Sequence, residues 1–174
     1  IHPHGVLYTK NSEGAPYTDG TSGADKADDA VPPGGTHTYT WQVPERAGPG
    51  PMDGSSILWM YHSHTDEPAD TNSGLIGPLI ITRKGSANPD GSPKDIDREF
   101  VTLWTIFNEN TSHYLKQNVT RFTGRPDRVM LRVKNPEFIE SNLMHSVNGY
   151  VYGNLPGLTM KQGERVRWYM MSIG

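Results

Sequence analysis

Cysteine is missing from all 174 residues, and that zero excludes two things. No disulfide can staple the chain, so the redox compartment is not legible from bridges. No thiolate is available as a metal ligand. Long apolar runs are missing as well: nothing approaches the roughly 18–20 apolar residues of a membrane-crossing helix. Positive charge is not in excess, with 16 Lys and Arg against 19 Asp and Glu. That balance argues against a nucleic-acid or anionic-membrane surface, which needs clustered basic residues. No signal peptide is visible and the first residue is Ile1, so the sequence is expected to begin after processing or partway through something longer.

Glycine and proline, by contrast, are plentiful, at 19 and 14 residues. They cluster between short apolar runs, the punctuation of turn-rich β architecture. Thr36–Val43 alternates with period two, placing Tyr39, Trp41 and Val43 on one face. Ser56–His64 predicts a second strand, and Leu75–Thr82 a third interrupted by Gly77-Pro78. Lys84–Asp97 is polar and dense in turn formers, and reads as a linker or long surface connection. Strands resume with Arg98–Phe107, continue through Val129–Val133 and close with Glu164–Met170. Helix signals are weak, with a short helical turn expected at Asn110–Gln117. The length suits one large β-domain or two smaller ones. The expectation is an all-β chain of two units, residues 1–84 and 98–174, joined by a linker at 85–97.

Four of the seven histidines fall into two His-x-His pairs, His2-Pro3-His4 and His62-Ser63-His64. In a strand, residues i and i+2 share a face, roughly 6–7 Å apart. Each pair therefore presents two imidazoles in one direction, and two such strands facing each other would converge four nitrogen ligands. Imidazole suits copper, zinc, iron or nickel, and spacing does not choose among them. Four histidines without thiolate or carboxylate point to a multi-metal copper site. His37, His113 and His145 read as ordinary surface or core histidines.

These residues also carry a resemblance. Ile1–Gly14, Val31–Trp41, Tyr61–His64 and Gly74–Pro78 resemble the first cupredoxin unit of the multicopper oxidase family, in its ceruloplasmin and hephaestin branch. Arg98–Tyr114 and Ser146–Thr159 resemble the opening of the next unit. The HPHG and YHSH motifs are shared with bacterial two-domain (small) laccases. The resemblance implies a cupredoxin-like Greek-key β-sandwich. It also implies a trinuclear copper cluster in which His2 binds the type 2 copper and His4, His62 and His64 bind type 3 coppers. Glu13 matches an acid that supplies protons beside that cluster.

The departures are informative too. Ser63 stands where a blue, type 1 copper would need Cys, so that copper is expected only in a part beyond this chain, as are the remaining ligand motifs. The chain is therefore expected to be a central piece of the enzyme. The activity implied is laccase-like: one-electron oxidation of a phenol, aromatic amine or metal ion, coupled to four-electron reduction of O2 to water. A ceruloplasmin-type ferroxidase is the alternative, and a copper nitrite reductase a weaker one. The clotting factors built on the same scaffold have lost cluster histidines that persist here. The resemblance further implies a secreted or periplasmic protein, a homotrimer with the cluster at a domain or subunit interface, and no nucleic-acid or membrane partner.

Overall fold

The computed structural model describes residues 1–173; Gly174, the end of the expected second unit, lies outside them. The strands are β1 (His2–Pro3), β2 (Leu7–Tyr8), β3 (Trp41–Gln42), β4 (Ser56–His62), β5 (Ile76–Thr82), β6 (Arg98–Asn108), β7 (Leu143–Val147), β8 (Tyr150–Val151) and β9 (Val166–Ser172). The α-helices are α1 (Glu67–Thr71), α2 (Leu115–Thr123), α3 (Pro126–Met130) and α4 (Pro136–Ser141). Strands dominate and helices are few and short, in keeping with the cupredoxin-like β-sandwich that the resemblance implies.

Among the described residues three sheets form: β1-β4-β5, β2-β3 and β8-β7-β6-β9. All pairings are antiparallel except β6 with β9, which runs parallel. The apolar run of β4 pairs along its whole length with β5, from Ser56 opposite Thr82 to His62 opposite Ile76. Pro78 is tolerated because β5 is an edge strand, where a missing donor costs nothing to a neighbour. Beneath these strands Val6, Ala47 and Ile81 are buried, with Trp41, Trp59 and Leu79 packed against them. The indole N–H of Trp59 donates to the Ala47 carbonyl at 2.8 Å.

The four-stranded sheet touches the first through β4 and β9. There the Tyr169 hydroxyl donates to Glu99 Oε1 and pairs with Ser56 Oγ, each at 2.5 Å. Arg167 Nη1 donates to the Ser56 carbonyl at 2.8 Å. Burial, with Glu99 accepting from it, pushes the Tyr169 phenol up to about 12.

Several expectations are corrected. Of Thr36–Val43 only Trp41–Gln42 pairs as a strand. The Thr40 amide is taken by Ser12 Oγ and the Trp41 indole N–H by the Ser12 carbonyl, so this segment is tied to a loop instead of a ladder. Val43 lies 57% exposed, off the face shared by Tyr39 and Trp41. The strand expected at Val129–Val133 is helix α3 followed by turns. Pro126 opens that helix with Asp127 in its first turn, and both favour a helix start over an apolar alternation of only a few residues. Helical structure extends well beyond the turn expected at Asn110–Gln117: α2 ends on Gly124 in the left-handed region, and Asn135 caps α4 by accepting from the Glu137 amide at 2.8 Å.

Gly5 is held tightly. Its φ is +80°, and an added Cβ would lie 2.2 Å from the Trp59 ring. Gly5→Ala should therefore combine left-handed strain of about 1–2 kcal/mol with an overpacking term of about 1–3 kcal/mol. The expected result is a clear fall in the urea midpoint; a change within about 0.5 kcal/mol would show that Trp59 does not pack on Gly5.

Candidate metal centre

The antiparallel register sets His2 directly opposite His62, with Pro3 opposite Tyr61. The His4 amide extends the ladder by donating to the Met60 carbonyl at 2.8 Å. Period-two alternation then puts His2 and His4 on the same face as His62. His64 joins them after β4 ends, while the Ser63 amide still donates to the Leu75 carbonyl at 2.9 Å. The pairs thus lie on neighbouring strands of one sheet, closer than the facing strands expected.

All four rings come together. His2 lies 5.3 Å from His4, 6.1 Å from His62 and 5.4 Å from His64, centroid to centroid. His62 lies 5.1 Å from His4 and 5.8 Å from His64. Tyr8 packs edge-on to His2 at 5.6 Å and Tyr17 to His64 at 5.5 Å. His62 is buried and His4 is exposed, so the cluster spans the sheet surface and its rim.

Two backbone carbonyls set the tautomers. His2 Nδ1 lies 2.7 Å from the Glu13 carbonyl, and His62 Nδ1 lies 2.8 Å from the Ser63 carbonyl. A carbonyl only accepts, so each Nδ1 carries the proton and each neutral ring keeps a lone pair at Nε2. His4 Nε2 lies 3.0 Å from His62 Nε2. With His62 as acceptor, His4 supplies the proton of that contact, and a cation could take its place. Partial desolvation among the packed rings lowers the pKa of His2 and, though its side chain reaches solvent, of His4; the neighbouring imidazoles lower them further, against the Glu13 carbonyl bond that favours charge on His2. Neutral imidazole is the form that ligates metal.

Among the described residues no three His, Cys, Asp or Glu side chains are placed to hold one ion. Any single ion here would draw at most two of these rings. The all-imidazole donor set suits copper, and with at most two rings to an ion it does not fit a self-contained tetrahedral zinc site, which needs three or four protein ligands.

Glu13 reaches the cluster through its carbonyl. Its carboxylate is ion-paired with Lys10 at 2.5 Å, and Lys10 also pairs with Asp19 at 2.6 Å. Gly14 follows with φ +68° and its Cα against the Ile1 carbonyl, where any Cβ would collide at 2.0 Å. The loop thus closes over His2. The remaining histidines stay apart: His37 bonds the Asn11 carbonyl at 2.9 Å, His113 bonds Asp70 at 2.8 Å, and His145 is exposed on β7. Sequence reasoning missed Asp70, whose carboxylate accepts from Ser63 Oγ at 2.5 Å. No spacing rule marks an acid seven residues beyond Ser63 on a separate short helix.

A strand-built scaffold that gathers four imidazoles makes this face a candidate metal site of a β protein. Residues 1–86 match the family model described as multicopper oxidase. Over its whole length the chain is 49% identical to human ferroxidase HEPHL1 and 45% identical to human hephaestin, covering 15% of each. It is 46% identical to human ceruloplasmin, covering 16% of that protein. The chain belongs to the multicopper oxidase family. It spans about a sixth of the length of these curated relatives.

The lowered pKa values carry a sign. In the unfolded chain His2 and His4 titrate near 6.5, and in the folded chain below it. Below pH 6.5 the unfolded state therefore binds more protons, and metal-free stability should fall as pH drops from 7.5 to 5.5. Urea titrations should show this decline, and a His2→Gln, His4→Gln double variant should flatten it. A slope of opposite sign in the native chain would contradict neutral rings at the site.

Proposed function

We propose that this chain supplies one half of the ligands of a trinuclear copper cluster in a ferroxidase-type multicopper oxidase. The convergence of His2, His4, His62 and His64 on one sheet face supports that reading most directly. In it His2 serves the type 2 copper, and His4, His62 and His64 serve type 3 coppers. Held by these rings, copper would supply the one-electron redox chemistry for reducing O2 with four electrons and four protons to two waters. The chain's own groups orient the rings: the Glu13 and Ser63 carbonyls hold His2 and His62, and the ladder holds His4. Tyr8 and Tyr17 pack edge-on against His2 and His64 at the side of the cluster. Glu13, in its ion pair with Lys10, is the proposed proton relay at the rim.

A metal ion such as ferrous iron now ranks above a phenol as the reducing substrate, reversing the laccase-first expectation, because the relatives named ferroxidase align with the chain end to end. The electron-collecting type 1 copper cannot sit here, since cysteine is absent. In this reading a further domain of the same polypeptide or of a neighbouring subunit would complete the copper shell, and a homotrimer is one such assembly. The two separate larger sheets support the reading of two units divided at residues 85–97. Among the described residues no helix is long and apolar enough to cross a membrane. A secreted or periplasmic location belongs to the same proposal.

Copper counting tests it. A His62→Ala, His64→Ala double variant of the assembled oxidase should lose cluster copper and O2 reduction while keeping any blue type 1 absorption. An unchanged copper content would remove these residues from the ligand set. Glu13→Gln should keep copper but slow O2 reduction by about 100-fold or more if the carboxylate relays protons. An unchanged rate would leave Glu13 only its carbonyl contact with His2.

A further inference from the structure

We propose that Asp70 and His113 are positioning residues for the His62–His64 pair, acting through a hydrogen-bonded chain that reaches Ser63 from behind the site. The inference rests on the copper-cluster reading of that pair. In an extended segment Ser63 points away from the face of its two neighbours. Its side chain is buried, and Oγ donates to Asp70 Oδ2 at 2.5 Å. The other oxygen of Asp70 accepts from His113 Nε2 at 2.8 Å. Ser63 is engaged along its backbone as well: its amide donates to Leu75, and its carbonyl accepts from His62 Nδ1 at 2.8 Å. Fixing Ser63 therefore fixes the acceptor that orients a site imidazole.

Asp70 is itself locked. Its amide donates to the Asp66 carbonyl at 2.8 Å, its carbonyl accepts from Leu75 at 3.0 Å, and Oδ2 also accepts from the Asp66 amide at 3.2 Å. Burial would raise this carboxylate, but the bonds from Ser63 and His113 outweigh it and hold Asp70 below its usual range. An ionised Asp70 accepts from both neighbours at once, as the chain requires. His113 belongs to the segment that leaves β6, and that segment is clamped to the turn after α1. The His113 amide donates to Ser73 Oγ at 3.0 Å, and the Asn108 amide donates to Asn72 Oδ1 at 2.7 Å. The exit of the second sheet is thus wired to the imidazoles of the first.

His113 has a half-exposed side chain, so its replacement should spare the fold. Three variants test the chain: Ser63→Ala, His113→Ala and His113→Gln, the last retaining a donor for Asp70. The readouts are exchange of the His62 Nδ1–H, followed by side-chain proton–nitrogen NMR of the metal-free chain, and affinity for cupric ion alone. Ser63→Ala and His113→Ala should speed that exchange and weaken cupric binding by about tenfold, the lower range for loss of an outer partner, while His113→Gln restores both. Native exchange and affinity in Ser63→Ala and His113→Ala would overturn the inference. So would a His113→Gln protein as impaired as His113→Ala, or a drop in melting temperature with unchanged His62 exchange. If the native chain takes up no cupric ion, the copper reading fails, and the exchange comparison still decides the positioning role.

Discussion

The pairing of β1 with β4, His2 opposite His62, is the constraint on which the site depends. Each histidine pair alone is two rings on one face of a strand. The antiparallel register turns two such pairs into one quartet, because strands in a ladder lie about 4.8 Å apart. A slip by one residue would turn one pair to the opposite face and disperse the cluster. Much of the neighbouring structure maintains this register. Gly5 admits the Trp59 ring, Gly77 lies under the Tyr61 ring, and the Glu13–Gly14 loop closes over the start of β1. Close approach of the Trp59 ring is why glycine follows His4 in HPHG.

Grouping four imidazoles has an electrostatic consequence. Each charged ring would raise the cost of charging the next, and burial adds to that cost. His2 and His4 are thereby biased toward the neutral form, and two carbonyls decide which nitrogen of His2 and His62 is free. Metal binding then displaces few protons at neutral pH, which strengthens binding there and weakens it in acid. The same bias makes the metal-free face a local burden on stability, a usual feature of sites assembled for function.

Legibility from sequence followed the range of the interactions involved. The His-x-His pairs are readable because period-two geometry is local, and β4, β5 and β6 are readable because short apolar runs between turn formers leave few alternatives. Register was not readable: nothing in HPHG or YHSH states that His2 meets His62 rather than a residue on another strand. Thr36–Val43 reads as a strand because its alternation is real, but Ser12, 28 residues away, takes the Thr40 amide. The helices of residues 115–141 were masked by β-branched and polar residues, although Gly124, Pro126 and the Asn135-Pro136 pair marked their ends. Asp70 escaped notice because its partners, Ser63 and His113, are brought to it only by the fold.

The family assignment points to copper; the chain supplies an all-imidazole surface without thiolate. The most direct measurement is X-ray absorption at the copper edge on the copper-loaded protein. The account predicts a first shell of nitrogen scatterers near 2.0–2.1 Å, taking the zinc–imidazole distance as guide, with imidazole multiple scattering that declines when His62 and His64 are replaced. A shell dominated by sulfur from the chain's seven methionines, or an imidazole signal unaffected by those replacements, would contradict it.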